Sequence, residues 1–235
     1  NDFSYTEEFA VTRSGGVDTR RPDIICFVNG IPLVVIEAKR PDSQAKKGPT
    51  INEGISQTPR NQRPDEIPHL FAYSQLLLSI NGHEGRYGTC NTPAKFWAAW
   101  REEDISDAEM YALKNNKLTA SQKQSLFSYR PVDDLNWYEN LIAGGDLAVT
   151  GQDQLLISLL KPERLLEMVR LYTLFDKKAG KIVARYQQIF GIKRLIERIS
   201  TKNSKGGREG GVIWHTTGSG KSFTMVFLSK AMILH

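Results

Sequence analysis

Cysteine is scarce in this chain, and its scarcity excludes two kinds of scaffold. Only Cys26 and Cys90 occur among the 235 residues, which is too few for a disulfide framework or a cysteine-based zinc site. Cys26 lies inside an apolar run, so we expect it to be a core residue. Few cysteines also fit a reducing compartment, and we predict a cytoplasmic protein.

Long apolar runs are missing too. No stretch approaches the ~20 apolar residues that a membrane-spanning helix needs, and the sequence has no signal-peptide pattern or internal repeat, so we predict no membrane partner. Hydrophobic residues make up 40% and charged residues 24% of the chain, which is typical of a globular protein of about one to two domains. The net charge of +5 permits nucleic-acid binding, although many domains with this charge bind none. Because the chain starts without Met and ends inside an apparent helix, we expect it to be part of a longer polypeptide.

Two apolar runs rich in β-branched residues, Ile24–Val28 and Ile31–Ile36, flank the dipeptide Asn29-Gly30. An Asn-Gly pair between two such runs predicts a β-hairpin. The hairpin would bring Asp23, at the start of its first strand, next to the tripeptide Glu37-Ala38-Lys39 at the end of its second. Since the outer residues of the tripeptide are two positions apart, their side chains point to the same face. The sequence therefore predicts two carboxylates and one ammonium group at one end of a sheet.

This set of charges suits phosphodiester hydrolysis. Mg²⁺ usually takes one or two carboxylates together with water and phosphate oxygens, and a bound ion polarises the phosphate and lowers the pKa of a coordinated water. A lysine at the same place can position the attacking water or stabilise charge on the phosphate. The pattern Pro22-Asp23 followed by Glu37-x-Lys39 resembles the PD-(D/E)xK nucleases. A hairpin with a surface salt bridge is the alternative, and the apolar run Val34-Val35-Ile36 leading directly into Glu37 favours the nuclease.

Further apolar patterns predict elements around this hairpin. Ile51–Gln62 predicts a short helix that Pro59 interrupts or caps. Leu70–Ile80 with Gly85–Thr89 predicts a second hairpin that extends the first sheet. The aromatic segment Lys95–Trp100 has helical spacing, which favours a core role over stacking on nucleic-acid bases.

The second half of the chain has weaker patterns. Leu118–Gly151 is mixed and predicts irregular structure. Pro162 suits the first turn of an amphipathic helix, and Lys181–Ile199 predicts a basic helix after it.

The last segment has the pattern of a phosphate-binding loop between a strand and a helix. The apolar run Gly211–Trp214 predicts the strand, and Phe223–Leu234 predicts the helix. Between them, Gly218 and Gly220 let backbone N–H groups turn toward phosphate. The N-terminus of the helix adds a favourable dipole for the same anion.

Two side chains of this loop have the chemistry that a nucleoside triphosphate requires. Lys221 would contact the β- and γ-phosphates, and Ser222 would bind Mg²⁺. The strict phosphate-loop pattern has glycine where this chain has His215, and the run Thr217–Ser222 instead resembles the shorter loop of superfamily 2 helicases. A chance Gly-Lys-Ser turn is the alternative.

A glutamine pair upstream adds to the nucleotide pattern. The segment Arg185–Gly191 resembles the adenine-binding glutamine element of these motors. Its spacing to the following apolar residues favours Gln188 as the adenine ligand, with Gln187 as the alternative. A pair of surface glutamines is the alternative interpretation of the same residues.

The order of these motifs, nuclease hairpin first and helicase-type loop second, resembles the restriction (R) subunits of type I restriction-modification enzymes over nearly the whole chain. The resemblance implies an α/β fold in two parts. Residues 1–160 would form a PD-(D/E)xK nuclease domain with a mixed sheet, and residues 161–235 the start of a RecA-like superfamily 2 motor domain. It also implies ATP-driven translocation on double-stranded DNA, Mg²⁺-dependent cleavage, and a complex with modification and specificity subunits. Because the later Asp-Glu motif and the second motor lobe are missing, this chain alone is not expected to hydrolyse ATP efficiently.

The resemblance also assigns roles to matching positions. The implied catalytic residues are Asp23, Glu37, Lys39 and Gln57. The implied Mg²⁺ ligands are Asp23, Glu37 and Ala38 in the nuclease and Ser222 in the motor. The implied ATP-binding residues are Gln188, Thr217, Gly218, Ser219, Gly220, Lys221 and Ser222.

One departure concerns a Gln-x-x-x-Tyr element that the family carries after the active-site lysine. Here Gln57 is kept, but Asn61 stands where tyrosine is expected. We predict that Gln57 holds the attacking water or a DNA phosphate and that Asn61 contributes little. Two rival functions are a repair or recombination nuclease-helicase and a non-catalytic DNA-binding scaffold. The recognised DNA sequence and the cleavage position stay open.

Overall fold

The computed structural model describes residues 1–41, 51–208, 211–214, 216 and 218–234. Its first part contains seven strands: β1 (Phe3–Glu7), β2 (Val11–Thr12), β3 (Thr19–Arg20), β4 (Ile24–Val28), β5 (Ile31–Ala38), β6 (Leu76–Ile80) and β7 (Gly85–Gly88). Five of them form a sheet in the order β1-β4-β5-β6-β7, and β2 pairs with β3 separately. Strand β6 runs parallel to β5, whereas the other neighbours in the sheet are antiparallel. The predicted α/β class with a mixed sheet is confirmed.

Strands β4 and β5 form the predicted hairpin. Asn29 and Gly30 both have positive φ angles, 51° and 78°, as the tight turn between two right-twisted strands requires. Ile24 lies opposite Ile36, so the residues on either side of this pair meet at one end of the sheet. The run from Val34 through Glu37 is buried without a break, because β5 is a central strand with apolar residues packed on both of its faces.

Two helices, α1 (Ile51–Asn61) and α2 (Pro68–Phe71), connect β5 to β6. Parallel neighbours need such a crossover because a tight turn cannot join them. The predicted helix is confirmed, but Pro59 lies inside α1 and does not end it.

Helix α1 packs very closely on the sheet. A Cβ atom at Gly54 would lie 2.3 Å from Ser79 Oγ on β6 and 3.6 Å from the Cβ of Glu37 on β5. The second predicted hairpin, β6–β7, is also confirmed. Its first strand begins only at Leu76, since α2 occupies the beginning of the predicted apolar run.

Four helices follow β7: α3 (Asp107–Lys114), α4 (Ala120–Phe127), α5 (Val132–Ala143) and α6 (Gly151–Leu159). The prediction of irregular structure over 118–151 is therefore wrong. The missed signal at α4 is a capping box between Thr119 and Gln122. The aromatic segment forms a 3₁₀ turn and not a helix, but Trp97 and Trp100 are buried as expected, while Phe96 is exposed.

The last part of the chain contains α7 (Pro162–Leu171), β8 (Thr173–Asp176), β9 (Gly180–Val183), α8 (Tyr186–Ser200) and α9 (Lys221–Leu234). Helix α7 starts at Pro162 as predicted. The basic helix predicted from Lys181 is wrong at its start, because β9 pairs with β8. Asp176 Oδ1 closes the turn between these strands by accepting the N–H groups of Lys178 and Ala179, at 2.8 and 2.7 Å.

The predicted strand before the glycine loop is not formed. Residues 211–214 have no regular secondary structure and are exposed. They pair with no strand in the described part of the chain, and a strand without a neighbour leaves its backbone groups unsatisfied. Helix α9, by contrast, forms and begins slightly earlier than predicted, at Lys221.

Buried apolar residues form two clusters on opposite faces of the five-stranded sheet. The smaller cluster includes Ile25 and Val35 of the sheet and packs under α1 and α2. The larger cluster runs from Ile36 through Leu159 of α6 to Ala231 of α9. The predicted boundary near residue 160 thus lies inside one continuous core.

Two expectations from the composition concern membranes and thiols. Among the described residues, no helix combines the length and the apolar character that a membrane crossing requires. Cys26 is half-buried and packs against the larger cluster, as expected, and Cys90 is buried; both are free. Burial raises the pKa of Cys26 to about 11, which disfavours the thiolate form.

Candidate active site

The ends of β4 and β5 bring the predicted charged groups together. Asp23 directly precedes β4, and its Oδ2 accepts the backbone N–H of Ala38 at 2.7 Å. The Lys39 ammonium lies 4.0 Å from Asp23 Oδ2 and 3.8 Å from Glu37 Oε2. The predicted convergence of two carboxylates and one ammonium group is therefore confirmed as geometry. It arises because the hairpin register places the start of one strand beside the end of the other.

Glu37 is the most buried member of this cluster, with 5% of its surface exposed. Burial raises the pKa of Glu37 to about 7, and the neighbouring Asp23 carboxylate adds to the rise. Lys39 and Arg60 act in the opposite direction. The positive charges of Lys39 and Arg60 therefore offset only part of the rise in the pKa of Glu37, and a further cation would stabilise its carboxylate.

Gln57 reaches the same cluster from helix α1. Its Oε1 accepts a hydrogen bond from the Lys39 ammonium at 2.7 Å. Gln57 lies one helical turn after Gly54, the residue that lets α1 approach the sheet. The close packing of α1 is thus what places this amide at the charged end of β5.

Asn61, from which the sequence analysis expects little contribution, contacts this cluster. It is 3% exposed, and its Nδ2 donates a hydrogen bond to Glu37 Oε1 at 3.4 Å. Gly54, Gln57 and Asn61 are spaced three and four positions apart, and this spacing is the signal that puts them on one face of a helix. The prediction that position 61 contributes little took no account of this contact.

The donor set fits a Mg²⁺ ion. It consists of the Asp23 and Glu37 carboxylates and Ala38, which can offer only its backbone carbonyl. Over the described ranges, no three His, Cys, Asp or Glu side chains group closely enough to hold a metal by themselves. Two carboxylates are nevertheless what Mg²⁺ usually takes, with water and substrate completing its octahedron.

The glycine loop before α9 has two glycines in the left-handed backbone region. Gly218 and Gly220 have positive φ angles of 78° and 84°. The Ser219 Oγ is buried and has no hydrogen-bond partner in the described part of the chain. Lys221 and Ser222, the first residues of α9, are exposed. The predicted ligand Thr217 lies outside the described residues, as does His215.

Gln188 contacts this loop directly. It is 4% exposed, its Nε2 donates to the carbonyl of Gly220 at 3.0 Å, and its Oε1 accepts the Arg185 N–H at 2.8 Å. The neighbouring Gln187 has a buried Oε1 without a partner among the described residues. Of the two glutamines left open by the sequence, the structure places Gln188 at the loop.

A cavity of about 810 Å³ lies beside the loop. Its lining includes Gly218–Gly220 and Gln188, together with Lys177–Val183 from the β8–β9 turn and strand β9, and Asn91–Pro93 from the segment after β7. This volume is within the range of small-molecule and cofactor sites. Both halves of the chain therefore contribute to the pocket that adjoins the glycine loop.

Comparisons with known proteins match both regions. Residues 1–96 match the family described as "Type I restriction enzyme R protein N terminus", and residues 187–235 match the SWI2/SNF2 ATPase family.

Curated relatives extend the similarity along the chain. A putative type I restriction enzyme MjaIXP endonuclease subunit from Methanocaldococcus jannaschii is 30% identical over 216 residues, covering 90% of this chain and 18% of the relative. The type I restriction enzyme HindI endonuclease subunit from Haemophilus influenzae is 30% identical over 227 residues, covering 94% and 18%. The chain thus spans 18% of the length of each of these relatives.

Proposed function

We propose, from the premise that this chain belongs to the type I restriction enzyme R-protein family, that it carries a DNA-cleaving site of the PD-(D/E)xK kind. The observation that carries the proposal is the meeting of Asp23, Glu37, Lys39 and Gln57 at one end of the β4–β5 hairpin. The names of the relatives describe endonuclease subunits, which agrees with such a site.

The proposed substrate is a phosphodiester bond of double-stranded DNA. Gln57 holds the Lys39 ammonium in place, so that it can contact a phosphate oxygen or the attacking water without reorganising. A cation placed in advance stabilises the charge that develops on phosphate in the transition state. Asp23 is oriented by the Ala38 N–H. When bound by Asp23, Glu37 and Ala38, Mg²⁺ would supply polarisation of the phosphate and acidification of a water molecule.

The glycine loop is proposed to bind ATP as the start of a RecA-like motor domain over residues 161–235, following a nuclease domain over 1–160. The N–H groups of Gly218–Gly220 and the Lys221 ammonium would hold the phosphates, with Thr217 completing the loop and Ser222 binding the nucleotide's Mg²⁺. Gln188 would contact adenine by exchanging one of its two present hydrogen bonds. The adjoining cavity has room for the base.

The larger assembly is proposed from the family. ATP hydrolysis would drive translocation on double-stranded DNA before cleavage, and modification and specificity subunits would be the partners, in the cytoplasm. These activities need polypeptide beyond the part that this chain covers, since it spans 18% of the length of its relatives.

Substitutions in the full-length R subunit, assembled with its partner subunits, test the proposal. Asp23→Ala, Glu37→Ala and Lys39→Ala should each lower double-stranded DNA cleavage by more than about 10²-fold and leave ATP hydrolysis unchanged. Glu109→Ala is the matched control, because this exposed carboxylate lies on α3, a helix that contributes no residue to the cluster. Cleavage at the wild-type rate by Glu37→Ala would overturn the nuclease assignment.

The same measurements of ATP hydrolysis and DNA cleavage test the ATP-binding loop independently of the nuclease site. Lys221→Ala removes the cation that faces the phosphates, so ATP hydrolysis should be lost. Cleavage should be lost with it, because translocation comes first in the proposed order. Unchanged ATP hydrolysis in this variant would refute the loop assignment while leaving the nuclease assignment in place.

A further inference from the structure

We propose that Asn61, held in place by Arg60, is a positioning residue that sets the orientation of the Glu37 carboxylate for cation binding. The inference rests on the proposed nuclease function and adds a residue to its site. It assigns a role to the position where tyrosine is expected from the family pattern.

The two neighbours of Asn61 determine the direction of its amide. Arg60 directs both Nε and Nη2 at Asn61 Oδ1, at 3.3 and 3.2 Å. A guanidinium group has only donors, so the atom that faces it must be the amide oxygen. The amide nitrogen must then face Glu37, which offers acceptors. The chemistry of the two neighbours thus fixes which way the amide points, independently of how its atoms are assigned.

The oriented Asn61 amide contacts one oxygen of the Glu37 carboxylate, and Lys39 contacts the other. Asn61 donates to Oε1 of the carboxylate at 3.4 Å, and Lys39 lies 3.8 Å from Oε2. Each oxygen therefore has its own neighbour, a hydrogen bond from the Asn61 amide on α1 and an ion pair with the Lys39 ammonium just after β5. These two contacts restrict rotation of the Glu37 carboxylate and hold it beside the Asp23 carboxylate, which also interacts with it.

The Asn61 group that donates to Glu37 carries no charge. A neutral amide binds the carboxylate without cancelling its charge, whereas a second ammonium or guanidinium in direct contact would compete with a metal ion. Arg60 contributes positive charge one residue further away and polarises the amide between them. Asn61 is almost fully buried, so water does not replace its hydrogen bond easily.

The position of Asn61 is itself fixed. Its backbone carbonyl accepts the N–H of Ile67 at 3.0 Å, which ties the end of α1 to the segment before α2. Gly54 brings the same helix against β5 and β6. The side chain therefore acts from a rigid support, as a residue that orients a metal ligand must.

Binding of Mn²⁺, without nucleotide or DNA, tests the proposal on the full-length subunit by electron paramagnetic resonance. Loss of a residue that orients a metal ligand commonly costs about 10–100-fold in metal affinity, so Asn61→Ala should raise the Mn²⁺ dissociation constant by about tenfold or more. Arg60→Gln should raise it less, because the amide keeps its place but loses its polarising partner. Asn52→Ala is the matched control, an exposed asparagine on the same helix.

Two further readouts separate this role from simple loss of structure. The melting temperature of each variant is measured first, and Mn²⁺ binding is compared well below it; Arg60 is only half-buried, so Arg60→Gln gives a second variant should Asn61→Ala unfold. In the cleavage assay, the Asn61→Ala defect should shrink as Mg²⁺ is raised, since the binding step is the one impaired.

The failure of this inference differs from the failure of the proposed function. Wild-type Mn²⁺ affinity in Asn61→Ala, with binding lost in Glu37→Ala, would overturn the positioning role alone. Retention of Mn²⁺ binding by Glu37→Ala would instead remove the metal site from which the inference starts.

Discussion

At the scale of single residues, the Lys39 ammonium depends on one neutral partner. It has two carboxylates at 3.8 and 4.0 Å, but its shortest contact is with Gln57 Oε1 at 2.7 Å. An amide oxygen holds an ammonium group without neutralising it, which leaves the positive charge available for phosphate. Gln57 thus has an identifiable task even though it carries no charge.

Replacing Gln57 with alanine should therefore slow DNA cleavage strongly. Without the amide, the Lys39 ammonium should move toward the carboxylates of Asp23 and Glu37. It would then leave the position from which it contacts the DNA phosphate. Loss of one such placed contact costs about 10²–10³ in rate, to be measured by single-turnover cleavage with the full-length subunit. Gln124→Ala, at an exposed glutamine on α4, serves as the control. Equal, wild-type-like rates for the two variants would leave Gln57 without a catalytic role.

The site residues differ in how far the sequence could predict them. Asp23, Glu37 and Lys39 lie at the ends of one hairpin, so a local turn signal was enough to bring them together. Asn61 required knowing how closely α1 approaches β5, and this distance depends on the meeting of Gly54 with Ser79. The helical spacing places Asn61 on the same face of α1 as Gly54 and Gln57, but it does not show that this face lies against Glu37.

At the scale of elements, the packing of α1 on the sheet decides the geometry of the site. Glycine in a helix interior ordinarily costs about 0.5–1 kcal/mol relative to alanine. Here the missing side chain is required, because a Cβ atom at position 54 would lie 2.3 Å from Ser79 Oγ. Gly54 thus lowers the intrinsic stability of α1 but allows the helix to pack close to β5.

The substitution Gly54→Ala should accordingly destabilise the protein. The forced separation of α1 from β6 should cost about 1–3 kcal/mol, as overpacking of a tight core does. In a Ser79→Ala background the Oγ atom is gone and the nearest remaining Ser79 atom, its Cβ, is 3.4 Å away. The same substitution should then cost much less. Urea denaturation of the four proteins of this cycle measures the coupling, and an equal cost in both backgrounds would contradict the contact.

The secondary-structure elements also differ in whether local sequence is enough to predict them. The β4–β5 hairpin was predictable because two apolar runs and an Asn-Gly turn lie within one short segment. The β8–β9 hairpin was missed because its turn is closed by an Asp side chain and a glycine with positive φ, and the lysines around it suggested a basic helix. The strand predicted at 211–214 was wrong since a strand depends on neighbours, which no local pattern guarantees.

At the scale of the whole molecule, one buried arginine joins the two halves. The Arg164 guanidinium of α7 contacts the rings of both Trp100 and Phe190, 5.5 and 5.3 Å from their centroids. It also bonds Asp104 at 2.8 Å and lies 3.6 Å from the buried Glu102 carboxylate. The segment after β7 is thereby tied to both α7 and α8.

The substitution Arg164→Met should destabilise the chain by about 3–5 kcal/mol, because it leaves the carboxylate of Glu102 buried without its counter-charge. Arg194→Met is the control in the same region: that side chain is 72% exposed and bonds Glu103 at the surface, so its loss should cost no more than about 1 kcal/mol. Urea denaturation of the chain measures both. Similar small costs for the two variants would refute the special role of Arg164.

The larger core cluster has a consequence for how such a protein can be divided. Apolar side chains of the sheet, of α6 and of α8 and α9 bury one another, so separating the fragments made by a cut between Leu159 and Pro162 would expose apolar faces on both. The two pieces would remain attached without a peptide bond, or would aggregate if made separately. Exchange of segments between related proteins should therefore transfer both sides of this core together. In a hybrid that joins the hairpin of one relative to the glycine loop of another, the apolar side chains of the core would not fit each other.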